Sequence, residues 1–443
     1  MKKRLLIVLA CMALLTMTMA CGSREQGEKP KKTKDGKTIV TMSMMGTDSF
    51  YKAAVKKFEQ KNPDIEVQLH IYKQPNEKWE ENDHDKYVQK INTELLAGSG
   101  ADILEVASLP VGKYVNKKLF VNLNEFIDKE ELLQKGDLYP NIINSMKIND
   151  GLYSMPLTFY MLCFISDGNV LKKANVQVDD KNWTWQQFEQ VAQQLKQHSS
   201  DDGGIRYALA NYPPEDLLLE IVSSRYAEFV DSRIQKASFD APRFIELMEQ
   251  IKSMYDHQVV TSKEAEIGKQ LFYSTMLMSS ADFVEWPHTL YSNPVLMHRP
   301  HTAEQDSGVN FYAPYQLAIS AKSQVQEEAW RFLSFLASEE AQSMQERRGF
   351  SVLASVNEKK FSDVQSKVNS GAFKLESGKT VKVADGYFAK AKHLLAAANG
   401  YSSGDDKLFS IVKEESKSYF SGRKSAQEAA KLIQNRVTTY LNE

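Results

Sequence analysis

Read for apolar and polar positions alone, the chain opens its body by alternating short strands with amphipathic helices. Thr38 to Met45 is a run of β-formers bounded by polar residues, the pattern of a buried strand. The turn Gly46-Thr47-Asp48-Ser49 follows, with Asp48 or Ser49 placed to cap a helix. Phe50, Ala54, Val55 and Phe58 then share one helical face, and Asn62-Pro63 stops the helix. Ile65 to Ile71 alternates as a strand does. After a polar loop, Val88, Ile91, Leu95 and Leu96 mark a helix from about Asp85, which Gly98-Ser99-Gly100 ends. Asp102 leads into a strand over Ile103 to Ala107. The order β-α-β-α-β predicts an α/β fold built on a parallel sheet with helices on its faces.

The pattern continues in a second α/β region. A helix is predicted over Trp183 to His198, opened by a Thr184–Gln187 capping box, and another over Phe244 to Tyr255. Thr275 to Ser279 and Leu317 to Ser320 read as short strands. The second runs into a helix carrying Ala329, Trp330, Phe332, Leu333 and Leu336, and that helical region ends at Arg347-Arg348-Gly349. The last helix opens on Ser425–Glu428 and turns Ala429, Leu432, Ile433, Val437 and Leu441 inward.

The first twenty residues break this pattern. Lys2, Lys3 and Arg4 precede an uncharged run from Leu5 to Ala20, which is short for a spanning helix and fits a signal peptide over 1–20. The run ends Thr18-Met19-Ala20-Cys21, which resembles a bacterial lipobox with Thr18 where Leu is usual. Cys21 is then the lipidated first residue of the mature chain. Residues 21–37 are polar and without period, a flexible tether with a reach of about 20 Å. The expectation is a protein anchored to the outer face of the cell membrane and not spanning it.

Composition narrows the function. Of 443 residues, 42% are apolar and 25% charged, an ordinary globular balance that excludes disorder. Lys plus Arg is 55 and Asp plus Glu is 57, so no basic excess exists to bind nucleic acid. Removing the basic signal moves the formal charge from −2 to about −5. Of three cysteines, Cys11 leaves with the signal, Cys21 carries lipid, and Cys163 lies in an apolar stretch as a core residue. No Walker A, H-E-x-x-H or G-x-G-x-x-G pattern occurs, which argues against an enzyme and calls for no cofactor. His298-Arg299-Pro300-His301 has metal-like spacing, but its proline forbids a regular helix, so it reads as an exposed loop. Glu80 to Asp85 lacks the glycine of a calcium loop and reads as solvated.

Five segments occur in a telling order: Tyr87 to Ile91 with Leu96 to Ile103; Tyr153 to Pro156 through Leu171 to Ala174; Asn182 to Trp185 with Phe188; Ala318 to Ser320 through Ala329 to Leu333; and Tyr419 to Gly422 with Ser425 to Ala429. Together they resemble the family 1 extracellular solute-binding proteins of ABC sugar importers, which are maltose-binding-protein-like. Ala101 stands where that family has proline, and Ser166 to Asn169 where it often has Tyr-Asn-Lys-Asp. The resemblance implies a two-lobed, type II periplasmic-binding-protein-like fold that acts as a monomer. It implies discontinuous lobes, 37–153 plus 288–348 and 154–287 plus 349–443, that close by a hinge on a small-molecule solute and present it to an ABC transporter permease.

A sugar site needs aromatic platforms and polar groups of fixed geometry. The resemblance places Thr47 and Asp48 at the ligand, with the plain helix cap still open for Asp48. Ser108 follows a strand end, where ligands sit in parallel α/β folds. Trp79 matches a tryptophan common among relatives. Thr158 and Tyr160 lie at the crossing between lobes, beside Phe159, which reads as core. Phe283 and Trp286 follow the 275–279 strand, Tyr315 precedes the 317–320 strand, and Tyr401 sits in a loop before the last helices. A peptide or other solute, or a lipid-anchored sensor or adhesion protein on the same fold, stays open beside the sugar.

Overall fold

The computed structural model describes residues 30–80, 82–129, 138–199, 207–301, 308–402 and 404–442. The signal segment, Cys21 and the first part of the tether lie outside the described residues. The end of the stretch read as tether is a turn: the Thr33 amide donates to the Lys37 carbonyl at 2.9 Å and the Ile39 amide to the Lys31 carbonyl at 3.0 Å.

Strands β1 (Thr38–Met44), β2 (Ile65–Ile71) and β3 (Ile103–Glu105) form the expected parallel group with β1 central. The Ser49–Lys61 and Asp83–Ala97 helices make the crossovers. Beyond this group the sheet is mixed. Strand β4 (Met155–Asp167) runs thirteen residues where the sequence showed no strand. It is buried on both faces, so it has no alternation to betray it. A small hairpin, β5 (Val230–Asp231) with β6 (Lys236–Ala237), stands apart from the main sheet. Strands β7 (Phe272–Leu277) and β8 (Pro294–Met297) pair antiparallel with the far half of β4. Strand β9 (Val309–Ile319) is far longer than the expected Leu317–Ser320. It pairs along β4 from Leu162 back to Met155, and its end pairs with β3, Ile319 opposite Ile103. Strand β10 (Phe350–Ser351) joins β4 at Thr158 and Phe159, and β11 (Ala398–Tyr401) lies parallel to β9.

Strands β4 and β9 are therefore two antiparallel bridges between separately packed cores. One core packs β1, β2 and the Gln326–Ala337 helix, through Met42, Phe58, Phe332 and Leu333, and extends over the bridges. A second gathers Phe164, Trp183, Trp185, Phe188 and Phe272 with the last two helices. A smaller one holds Tyr87, Leu104, Leu109 and Tyr114. The chain returns toward β1–β3 along β9, and β8 is still paired with the far end of β4.

Local signals read from the sequence reappear in the helices. The Thr184 amide donates to Gln187 Oε1 at 2.7 Å and the Gln187 amide to Thr184 Oγ1 at 3.2 Å. Ser425 and Glu428 make the same reciprocal pair. Cys163 is a buried free thiol, its pKa pushed up to about 12 by burial.

Two loops differ from expectation. His298 and Arg299 are buried, not exposed: the His298 amide donates to Asp180 at 2.8 Å, and Arg299 pairs with Glu220. The charge of Arg299 is thus met inside, which lets the loop pack. In the acidic 80–85 stretch, Asp83 is buried in an ion pair with Lys73 at 2.7 Å. Among the described residues no three His, Cys, Asp or Glu side chains converge to hold a metal, and no helix is long and apolar enough to cross a membrane.

Candidate functional site

The carboxyl ends of β1 and β3 carry the first half of the site. Asp48 follows β1 and divides its two oxygens. Oδ1 accepts the Phe50 amide at 2.7 Å and caps the helix, and Oδ2 accepts the Tyr315 hydroxyl at 2.9 Å. Glu105 ends β3. Burial first, then the charge of Asp48, pushes its carboxyl up to about 7. The Tyr51 ring meets Tyr315 edge-on at 5.9 Å. Tyr51 is fully buried, and neither its hydroxyl nor Thr47 Oγ1 has a hydrogen-bond partner. Tyr160 and Tyr312 stand opposite each other where β4 and β9 pair. Acidic and phenolic groups thus meet where the bridges leave the parallel group.

The second half is a cavity of about 550 Å³. Leu109 to Lys113 and the turn 145–149 wall one side. Arg225 to Glu228, the β5–β6 hairpin, Asp405 and Leu441 wall the other. Leu109 belongs to the Tyr87 core, and Val230 and Leu441 to the Phe164 core, so the cavity lies between cores. Its inner end holds Gln316, which donates to the Tyr401 hydroxyl at 2.8 Å. Burial pushes Tyr401 up to about 12. Asp405 accepts from the hydroxyls of Tyr226 and Tyr440 at 2.9 and 3.0 Å and from the Leu408 amide at 3.2 Å. Burial outweighs these donors and raises its carboxyl.

Contacts across the cavity rim hold the two sides together. Lys113 Nζ donates to the Tyr440 carbonyl at 2.7 Å, and Asn116 donates to the Ser232 carbonyl. His84 lies 3.2 Å from the Asp406 carboxylate and Lys407 3.3 Å from that of Asp85. Gly404 presses on the loop after β3 so closely that a Cβ there would stand 1.9 Å from the Ala107 carbonyl oxygen.

The residues expected at a ligand are spread over this geometry. Thr47, Asp48, Tyr160 and Tyr315 fall at the acidic and phenolic group, and Tyr401 at the cavity. Ser108 sits beside Gly404 at the rim. Trp79 is 54% exposed, with its ring edge against Gly46. Trp286 is 49% exposed on the Asp282–Leu290 helix and does not line the cavity. Thr158 is buried, its hydroxyl donating to the Arg348 and Phe350 carbonyls at 2.7 and 2.8 Å. Phe283 is buried against Phe350 and Phe361, with no face left open. Glu105, Gln316, Arg225, Tyr226 and Asp405 went unnoticed in the sequence. The Gly404-Asp405-Asp406 run, which opens a helix after a loop, was a legible signal for Asp405.

Two antiparallel bridges joining separately packed α/β bodies, with a cavity between them, define the class of two-lobed solute-binding proteins. Within that class the chain belongs to the bacterial extracellular solute-binding protein family, whose sequence model matches residues 43–343. Solved structures agree on the fold. The sugar-binding protein MalE from Xanthomonas citri is 14% identical over 91% of this chain and 98% of its own, with a TM-score of 0.61. A periplasmic oligogalacturonide-binding protein from Yersinia enterocolitica is 16% identical over 91% and 99%, also at 0.61. An ABC substrate-binding protein from Listeria monocytogenes, solved with cycloalternan, is 15% identical over 92% and 99%, at 0.58.

Proposed function

We propose that the protein captures a carbohydrate between its lobes by hinge closure and delivers it to the permease of an ABC importer. The observation that carries this reading is the cavity of about 550 Å³ between the cores, with Tyr226, Tyr401, Arg225 and Asp405 on its walls. Tyrosine faces suit the C–H faces of a sugar, and carboxylates and amides suit its hydroxyls. The lobes are β1–β3 with the end of β9 and the Gln326–Ala337 helix, against the second core with β7, β8 and the last two helices. Lipid on Cys21 and the tether hold this body at the outer face of the cell membrane. The similar structures are named for sugars and oligosaccharides, which supports a carbohydrate over a peptide.

The test is thermal unfolding and calorimetry of the mature chain against neutral and acidic mono- and oligosaccharides. One of them is expected to stabilise the fold by about 2.7 kcal/mol at a hundredfold excess over Kd. A silent sugar panel with a clear response to peptides overturns the sugar. For the anchor, Cys21→Ser is expected to move the protein from the membrane fraction into the medium.

A further inference from the structure

The β5–β6 hairpin is fastened at its feet and stands outside the main sheet. Val230 and Ala237, which pair across its base, are buried in the second core. Gln434 of the last helix fixes that base, donating to the Ala237 carbonyl at 3.1 Å and accepting the Phe239 amide at 2.7 Å. Beyond the base the hairpin leaves its own core. Ile234 at the tip is 66% exposed and Gln235 turns at φ +52°. Arg233 forks onto Asp231 within the hairpin, at 3.0 and 3.2 Å. A ladder of two residue pairs is marginal by itself. The tip therefore takes its position from what it rests on.

That support is on the other side of the cavity. The Val111–Asn116 helix packs through Tyr114 into the small core with Tyr87 and Leu104. Gly112 and Asn116 lie four residues apart on it and so share a face. Asn116 donates to the Ser232 carbonyl. Gly112 lies so near Ser232 that a Cβ would stand 2.7 Å from the Ser232 Oγ and 2.8 Å from its Cβ. A side chain at 112 would hold the tip away, and glycine lets it seat. Between base and tip, Asp231, Ser232, Arg233 and Gln235 wall the cavity of about 550 Å³. The hairpin thus runs from the core that anchors it to the body opposite, along the cavity.

We propose that this hairpin is a strap over the cavity, with Gly112 and Asn116 as its catch. It lifts at the tip to admit a solute and seats on the catch to retain it, while its feet stay in the second core. The motion is distinct from the parting of the lobes. With the strap lifted, the rim still has Lys113 on the Tyr440 carbonyl and the His84–Asp406 and Lys407–Asp85 pairs. That the strap retains a solute rests on the sugar reading above, and that its tip moves by itself does not.

The experiment uses the mature chain and two variants. Hydrogen exchange read by mass spectrometry needs no solute. In Asn116→Ala, the amides of residues 231–236 are expected to exchange at least tenfold faster than in the wild type. The amides of β1, β4 and β9 and the melting temperature are expected to stay as they were. Exchange that rises in both bodies together, or nowhere, overturns the strap. The second variant replaces the Ser232–Gln235 tip with Asn-Gly, a two-residue turn that closes a hairpin. It keeps both feet, so its melting temperature is expected to hold. The probes are the neutral and acidic sugars of the test above, maltose, maltotriose and trigalacturonate among them, in surface plasmon resonance. A sugar that binds the wild type is expected to leave the trimmed protein at least tenfold faster. An unchanged off-rate overturns the strap and leaves the sugar reading standing. If every sugar is silent and the Asn116→Ala exchange is as expected, the moving strap stands and the sugar reading falls.

Discussion

Asp48 does two jobs with one carboxylate, and the second is the more informative. Capping needs one oxygen, and the other is held at 2.9 Å from the Tyr315 hydroxyl. Tyr315→Phe is expected to cost about 1 kcal/mol of stability, measured by denaturant unfolding, and to weaken solute binding. Glu105 gives a test in pH. Its folded-state carboxyl sits at about 7, above the ordinary value for an unfolded chain. The fold therefore favours the protonated form. Its contribution is full at acid pH and is lost as pH rises through 7. Glu105→Gln is expected to remove that decline and to stabilise the protein at pH 8 by on the order of 2 kcal/mol, read from unfolding at pH 5 and 8. The sequence showed little of this. Phe283 and Tyr315 both sit next to strands and look alike as candidates. Register sends Phe283 into the core against Phe350 and leaves Tyr315 at the strand ends. Thr158 looked like a hydroxyl at a crossing, and its hydroxyl serves the backbone of the next crossing instead.

At the scale of elements, legibility followed the local physics. Wherever one face is dry and the other wet, the pattern showed it, as in β2 and in the Ser49–Lys61 helix. Capping boxes were legible because both partners lie within four residues. Ser425→Ala is expected to lower stability by about 1 kcal/mol in chemical denaturation, with no effect on ligand affinity. Strand β4 escaped because both its faces are covered, and β9 showed only its last few residues. The elements that join the lobes were thus the least visible, since burial on two sides erases periodicity.

At the scale of the whole molecule, the contacts across the cavity rim tie its two sides together. Gly404 is the tightest point, because a methyl group there would collide with the Ala107 carbonyl. That collision falls between the loop after β3 and the loop before the last two helices. Gly404→Ala is expected to enlarge the radius of gyration in X-ray scattering and to weaken solute binding at least tenfold, while the melting temperature of the free protein changes little. An unchanged radius with full affinity would show that the rim does not govern closure.

The pairing of β3 with β9 also has a consequence in time. Ile103 meets Ile319, a partner made about 200 residues later. Until the ribosome has passed that point, β3 has an open edge and the first core lacks its Gln326–Ala337 helix. Contacts of such long reach form slowly, because closing the intervening loop costs entropy before any pairing is gained. A nascent chain truncated before residue 309 is therefore expected to remain protease-sensitive. A chain that cannot finish its fold while it is being made stays threadable, which is the condition for export through a narrow pore.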